Sequence, residues 1–456
     1  MTVENAVAST MSGQVAYSEH VNPQWARLLN LMEMNAEYVE CRGEKLRTSD
    51  GHTILDFLSG YCVHNLGHNH ARVIEALHAE LDGYGPAMLQ SHVAASAGEL
   101  AEKLCARAGG RLNKVYFSTS GSEGVETAIK FARATTNRTG LLAARAAFHG
   151  LTCGALALMD QGFWSSGFGP LIPGVEFVDF GDISALEKHL ATRKFAALIL
   201  EPIQGEGGIV LPPKGYLQGA QDLCKKYGTL FVLDEVQTGL CRTGRFLASH
   251  HYGLDPDMVI LAKALSGGLV PVGAVLMTDP IYESVYHSLG RAIVHTSTYS
   301  ENGLAMRAGL ATLDVLESEG LADRAFIQGA EFRARLAEAL TQFEMVDQVR
   351  GIGHFSGIVF RAPRSLKLRL SYEAFHRIHP AMFGQIIVMR LYRDHSILTQ
   401  ICGNNFMVLK AAPPLNVPDE SLEAFIRGLT DVLEAVHSSK RFWQGALELA
   451  GRAIRV

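Results

Sequence analysis

Short, wholly apolar runs recur through the middle of the chain, spaced by stretches of helical periodicity. Val115–Phe117, Ala196–Leu200, Leu230–Leu233, Met258–Leu261 and Ala274–Met277 carry no polar face. A strand needs this when helices cover both sides of a parallel sheet. Between the runs, Val125, Ala128, Ile129 and Ala132 stand at i, i+3, i+4 and i+7, the stripe of a helix packed on one side. The alternation from about 95 to 320 therefore predicts a parallel sheet wrapped by helices. Upstream, Arg42-Gly-Glu-Lys45 and Asp50-Gly51 bracket a hairpin that leads into Ile54–Phe57. After Thr312 one long charged helix is expected to run through Arg335 and Leu340, followed by a mixed α+β tail ending near Arg455. Residues 1 to about 20 are small and polar and are expected to fray.

Length and composition narrow the class. The chain has 456 residues, 48% hydrophobic and 19% charged, too long for one ordinary core and too apolar for disorder. We divide it into an N-terminal segment, 1–70, a large domain, 71–320, and a C-terminal small domain, 321–456, with both chain ends contributing to the small domain. A net charge of −5 without a basic run gives nucleic acid no footprint. The apolar runs are too short to span a bilayer. Seven scattered cysteines without a C-x-x-C pair suggest neither a metal site nor a disulfide framework, and fit a reducing compartment. No signal-peptide pattern follows Met1, so the expectation is a cytoplasmic protein.

The strand ending Phe231-Val-Leu-Asp234-Glu235 raises a question of charge. A buried carboxylate is costly without a partner. Asp234 or Glu235 must therefore meet a positive group at the strand's C-terminal end, where open α/β sheets bind ligands. Other stretches carry candidate chemistry. Ser118-Thr-Ser-Gly-Ser122 lies between a strand and a helix; its small residues leave free N–H groups for an anion, although an ordinary helix cap has the same composition. Phe148-His149-Gly150 offers a flat face to a planar ligand, or is a core Phe beside a solvated His. Lys263, between the apolar run 258–261 and Gly267-Gly268, is a buried nucleophile toward carbonyls or a snorkelling lysine. Together, an anion cradle, an aromatic face, an Asp and a Lys suit one ligand, the phosphorylated pyridine aldehyde pyridoxal 5'-phosphate.

These stretches resemble the class III (ornithine- or omega-type) aminotransferases of pyridoxal-phosphate fold type I. The resemblance runs from about Tyr38 to about Leu415. It rests on Leu55-Asp-Phe57 through Leu66-Gly-His-Asn-His70, Ser120-Gly-Ser-Glu-Gly-Val-Glu126, Phe148-His-Gly150, Glu201-Pro-Ile-Gln-Gly-Glu-Gly-Gly208, Asp234-Glu-Val-Gln-Thr-Gly239, Leu261-Ala-Lys263 and Ala412-Pro-Pro-Leu415. It implies an α/β fold: a large domain with a mostly parallel seven-stranded sheet, plus a smaller α+β domain built from both chain ends. It implies a transaminase that works by ping-pong chemistry. Lys263 would form the Schiff base and shuttle the proton. Asp234 would pair with the pyridinium nitrogen, Phe148 and Val236 would sandwich the ring, and Gln237 would meet its phenolic oxygen. Ser120, Gly121 and Ser122 would hold the phosphate, with His149 and Glu201 in the same cofactor site. Thr298 would reach the neighbouring subunit's phosphate, which implies a homodimer.

Three departures bear on substrate. Leu151 stands where relatives often grip a carboxylate with Arg. Lys410 stands where many carry an Arg for the α-carboxylate, and Lys lacks Arg's bidentate fork; its expected partner is Glu206. Cys241 replaces a usual Gly. With Tyr61 and Trp164 as further substrate contacts, the implied pocket is apolar. It would suit a terminal amine, such as a diamine, an omega-amino acid or an aliphatic amine, or its aldehyde, exchanged with an amino acid or 2-oxo acid. The alternatives are a decarboxylase, racemase or aminomutase on the same scaffold, or a non-catalytic dimeric binding protein.

Overall fold

A computed structural model describes residues 13–89, 91–378, 381–403, 407–438 and 443. Strands β1 (Tyr38–Arg42), β2 (Lys45–Thr48) and β3 (Thr53–Asp56) form consecutive antiparallel hairpins. The turns fall at Gly43-Glu44 and around Asp50-Gly51, where turn residues were expected. Residues 13–20 are helical, and a second helix, Pro23–Leu31, is capped by the Asn22 side chain and buries no residue. Of the stretch expected to fray, residues 1–12 lie outside the described residues, and the remainder is ordered helix.

The middle of the chain builds a seven-stranded sheet from β4 (Lys114–Ser118), β5 (Gly140–Ala144), β6 (Val175–Val178), β7 (Phe195–Leu200), β8 (Leu230–Asp234), β9 (Met258–Leu261) and β10 (Gly273–Met277). Their order is β4-β10-β9-β8-β7-β5-β6. Successive residues of the apolar runs part to opposite faces. Leu198, Leu200, Phe231, Leu233, Val259 and Leu261 join one buried cluster, whereas Ala197, Ile199, Val232, Met258 and Ile260 join another. Strands without a polar face are thus buried on both sides. The sheet departs from a uniformly parallel one at β10, which runs antiparallel to both β9 and β4.

Helix α1 (Gly121–Thr136) follows β4 and packs its stripe of Val125, Ala128, Ile129 and Ala132 into the second cluster. The single long helix expected after Thr312 is two: α2 (Gly303–Ser318) and α3 (Leu321–Leu340). They part at Gly320, whose φ of 60° is left-handed. A residue without Cβ takes that conformation at little cost, and it ends the run of helical hydrogen bonds.

The C-terminal part forms an antiparallel sheet of β11 (Val346–Ile352), β12 (Phe355–Phe360), β14 (Gln400–Cys402) and β15 (Val408–Ala411), in the order β11-β12-β15-β14. Strand β13 (Ile397–Leu398) leaves this region and pairs in parallel with β3, Ile397 opposite Leu55 and Leu398 opposite Asp56. Phe57 packs among C-terminal residues, including Phe332 and Phe425. The two ends of the chain therefore share a core.

Candidate active site

A cleft of about 490 Å³ opens at the C-terminal ends of the parallel strands. One end is the start of α1. Ser120 is the N-cap: its backbone is extended and its Oγ accepts from the Glu123 N–H at 3.3 Å. Glu123 turns back to accept from the Thr119 N–H and hydroxyl, both at 2.6 Å. With these groups closing the cap, Gly121 and Ser122 line the cleft in the first turn, where helical N–H groups lack internal partners. Gly150 crosses this turn so closely that a Cβ would collide with the Ser122 side chain, and its φ is 125°.

Asp234 ends β8 in the floor of the cleft and is 5% exposed. Its Oδ1 accepts from the Val236 N–H at 3.1 Å, and its Oδ2 lies 2.8 Å from His149 Nδ1. Burial works against a charged His149, but the Asp234 carboxylate outweighs it and holds the imidazole above its ordinary value. The partner that Asp234 meets at the end of the apolar strand is therefore His149, which is buried rather than solvated. Glu235 points away; its carboxylate accepts from the Ala248 and Ser249 N–H groups and the Thr238 hydroxyl. Arg242, fully buried, donates to His354 O and Asn65 Oδ1.

Glu201, just past β7, accepts from the Phe148 N–H at 3.0 Å and the Gly205 N–H at 2.9 Å. Burial pushes its carboxyl up to about 7, with His149 opposing and Asp234 adding to the shift. Lys263 follows β9 at the start of a short 3-10 turn, with φ of 46°. It enters the same cleft as Asp234, Phe148, Val236 and Gln237. Glu206 pairs with Lys410 of β15 and also accepts from Gln237 Nε2 at 3.2 Å. Burial opposes the Lys410 charge, but Glu206 overrides it and holds the ammonium above the ordinary lysine value; Glu206 is correspondingly held low despite its own burial.

The family model for aminotransferase class-III matches residues 30–433. The chain belongs to the class-III aminotransferases. This aminotransferase is 34% identical over 437 residues to the putrescine aminotransferase of Pectobacterium atrosepticum, with 93% of this chain and 88% of the relative covered. It is 38% identical over 387 residues to the acetylornithine aminotransferase of Mycobacterium leprae, covering 85% and 88%. It is 33% identical over 449 residues to the aminotransferase PigE of a Serratia species, but spans only 53% of that protein's length. Among solved structures it resembles the ornithine aminotransferase of Toxoplasma gondii, with a TM-score of 0.80, 28% identity and coverage of 96% and 97%. It also resembles a pyridoxal-phosphate-bound amine transaminase from an uncultivated Pseudomonas species, with a TM-score of 0.76, 29% identity and coverage of 87% and 94%.

The remaining sequence-derived positions of this aminotransferase surround the cleft rather than line it. The Tyr61 carbonyl accepts from Gln237 Nε2 at 3.4 Å, and its ring centroid lies 5.6 Å from Lys410 Nζ. Trp164 stands edge-on to Phe148, 5.4 Å between ring centroids at 78°. Leu151 donates its N–H to Ser122 Oγ at 3.4 Å and leaves its side chain exposed. Thr298 is exposed and absent from its own chain's cleft. Sequence reasoning missed Val63 and the Leu269–Val272 wall. Gly267-Gly268, read as a loop signal, was the cue that a segment of backbone turns there toward the cleft.

Proposed function

We propose that this class-III aminotransferase binds pyridoxal 5'-phosphate and moves an amino group between a terminal amine, or its aldehyde, and an amino acid or 2-oxo acid partner. The observation that carries this reading is the meeting, in one cleft, of Asp234 braced by His149, the amine of Lys263 and the open first turn of α1. The donor set fits the cofactor. Ser120, Gly121 and Ser122 hold the phosphate at the helix N-terminus. Phe148 and Val236 would confine the ring, and Gln237 would meet its phenolic oxygen. When bound, the cofactor supplies a carbonyl that exchanges amines and a ring that withdraws electrons.

The protein supplies placement and proton traffic. Asp234, oriented by His149, would hold a proton on the ring nitrogen. Lys263 would hold the cofactor through its amine, and its Nζ would serve as the base toward the amine-bearing carbon of the substrate. Lys410 is a point charge already engaged by Glu206, and Leu151 brings no charge, so acidic substrates find no bidentate clamp at either position. The putrescine relative accords with a terminal amine. Thr298, exposed and away from its own cleft, serves the phosphate of a second copy in a homodimer.

The test is the visible absorption of the purified protein with pyridoxal 5'-phosphate, before and after glutamate, alanine, ornithine, putrescine or a long-chain alkylamine. Wild type develops a cofactor band that Lys263→Ala abolishes, and putrescine or the alkylamine bleaches it faster than glutamate. A band unaffected by Lys263→Ala overturns the catalytic assignment. Faster bleaching by glutamate overturns the substrate class.

A further inference from the structure

Four consecutive residues beside the cleft adopt left-handed backbone: Ser59 (φ 50°), Gly60 (φ 58°), Tyr61 (φ 63°) and Cys62 (φ 68°). Three of them carry a Cβ. Left-handed helical backbone crowds the Cβ of an L-residue against the following carbonyl, so such a turn persists only where its surroundings over-determine it. Those surroundings are specific. Asp56, 1% exposed, accepts with Oδ1 from the Leu58 and Ser59 N–H groups, both at 2.8 Å. Its Oδ2 lies 2.8 Å from His68 Nε2. His68 stacks on His64, with centroids 3.8 Å apart. The Ser59 carbonyl closes the turn by accepting from the Val63 and His64 N–H groups at 2.7 and 3.0 Å. The Ser59 hydroxyl is buried without a hydrogen-bond partner, so the turn is not held by its own side chain.

Besides setting Val63 in the cleft wall, the strained turn reaches the site through Tyr61. It delivers the Tyr61 carbonyl to Gln237 and the Tyr61 ring to the ammonium of Lys410. A right-handed turn would send Tyr61 elsewhere. We propose that Asp56 and His68 are positioning residues: through the left-handed turn 59–62 they set Tyr61 against Gln237 and Lys410 and so fix where the amino substrate sits. This rests on the reading of Gln237 and Lys410 given under Proposed function.

The experiment compares wild type, His68→Phe and His68→Gln as cofactor-loaded enzymes, measuring Tm, cofactor Kd, and KM and kcat for the best amine. His68→Phe keeps a ring for His64 but cannot hold Asp56, whereas Gln restores a donor. The expected result is a KM raised about tenfold in His68→Phe with kcat and cofactor Kd nearly unchanged, and a KM returned toward wild type in His68→Gln; misplacement of about 1 Å carries penalties of this size or larger. Unchanged KM in a folded His68→Phe overturns the proposal, as does a loss that follows Tm and cofactor Kd alone. The same series is run in a Ser59→Gly background, where glycine relieves the left-handed cost and secures folding. There the KM effect of His68→Phe should shrink, and an equal effect in both backgrounds overturns the role of strain. A wild type that binds no cofactor or transfers no amine defeats the functional reading instead, and is seen before any variant is compared.

Discussion

Lys410 and Arg242 are among the largest side chains fully buried in the described structure, and they are used differently. Arg242 spends its donors on carbonyls and an amide oxygen, whereas Lys410 has a charged partner facing the cleft. Replacing Lys410 by Arg offers a fork able to engage Glu206 and a substrate carboxylate together. The expected outcome is a kcat/KM for glutamate raised about tenfold relative to putrescine, the scale of one added charge-assisted hydrogen bond. Steady-state kinetics of Lys410→Arg with both donors checks it, and an unchanged ratio means that carboxylates are not read at this position. At this scale the sequence was partly legible. The apolar run before Asp234 required a cation nearby, and the Glu206–Lys410 pair was read from motif positions. The split between Asp234 and Glu235 was legible only through the resemblance, which gave the site to Asp234, because backbone N–H groups, which satisfy Glu235, leave no mark in residue type.

The start of α1 shows an element shaped for two tasks. Ser120 caps the helix through the Glu123 N–H, and its side chain also borders the cleft. Ser120→Ala is expected to cost about 1 kcal/mol of stability as a lost cap and to weaken cofactor binding about tenfold as a lost hydrogen bond to a charged phosphate. Thermal melts and cofactor titration separate the two. Loss of stability with unchanged cofactor Kd would leave Ser120 a cap alone. The stripe of α1 was plain in the sequence because its period is 3.6 and its face is apolar. Strand direction was not: period and apolarity are the same whichever way β10 runs. The break at Gly320 was hidden for a related reason, since one glycine in a charged helical pattern is compatible with continuation as well as with a stop.

Large apolar side chains stay exposed around the segment that carries Thr298: Leu289 is 97% and Ile293 81% exposed. Burial of these side chains against a second copy belongs to the proposed homodimer. If Thr298 serves the neighbour's cleft, mixing inactive Thr298→Val with inactive Lys263→Ala under conditions of subunit exchange regains activity, because each hybrid dimer holds one intact site. Mixtures that stay inactive although hybrids form would place Thr298 outside the neighbour's site. Among the described residues no helix is long and apolar enough to cross a membrane. That the two chain ends pack together was expected from the organisation of the chain, but which residues meet was not. Nothing in the periodicity near Leu55 announces that its neighbour in the sheet is Ile397.

That parallel pairing of β3 with β13 has a consequence in time. A ribosome adding roughly 5–20 residues per second needs on the order of half a minute to go from the first strand to its mate. Until then the nascent β3 carries a bare edge, and Glu206 waits for the lysine that neutralises it. The charge pair beside the cleft therefore forms only after Lys410 has been made, some two hundred residues later than Glu206.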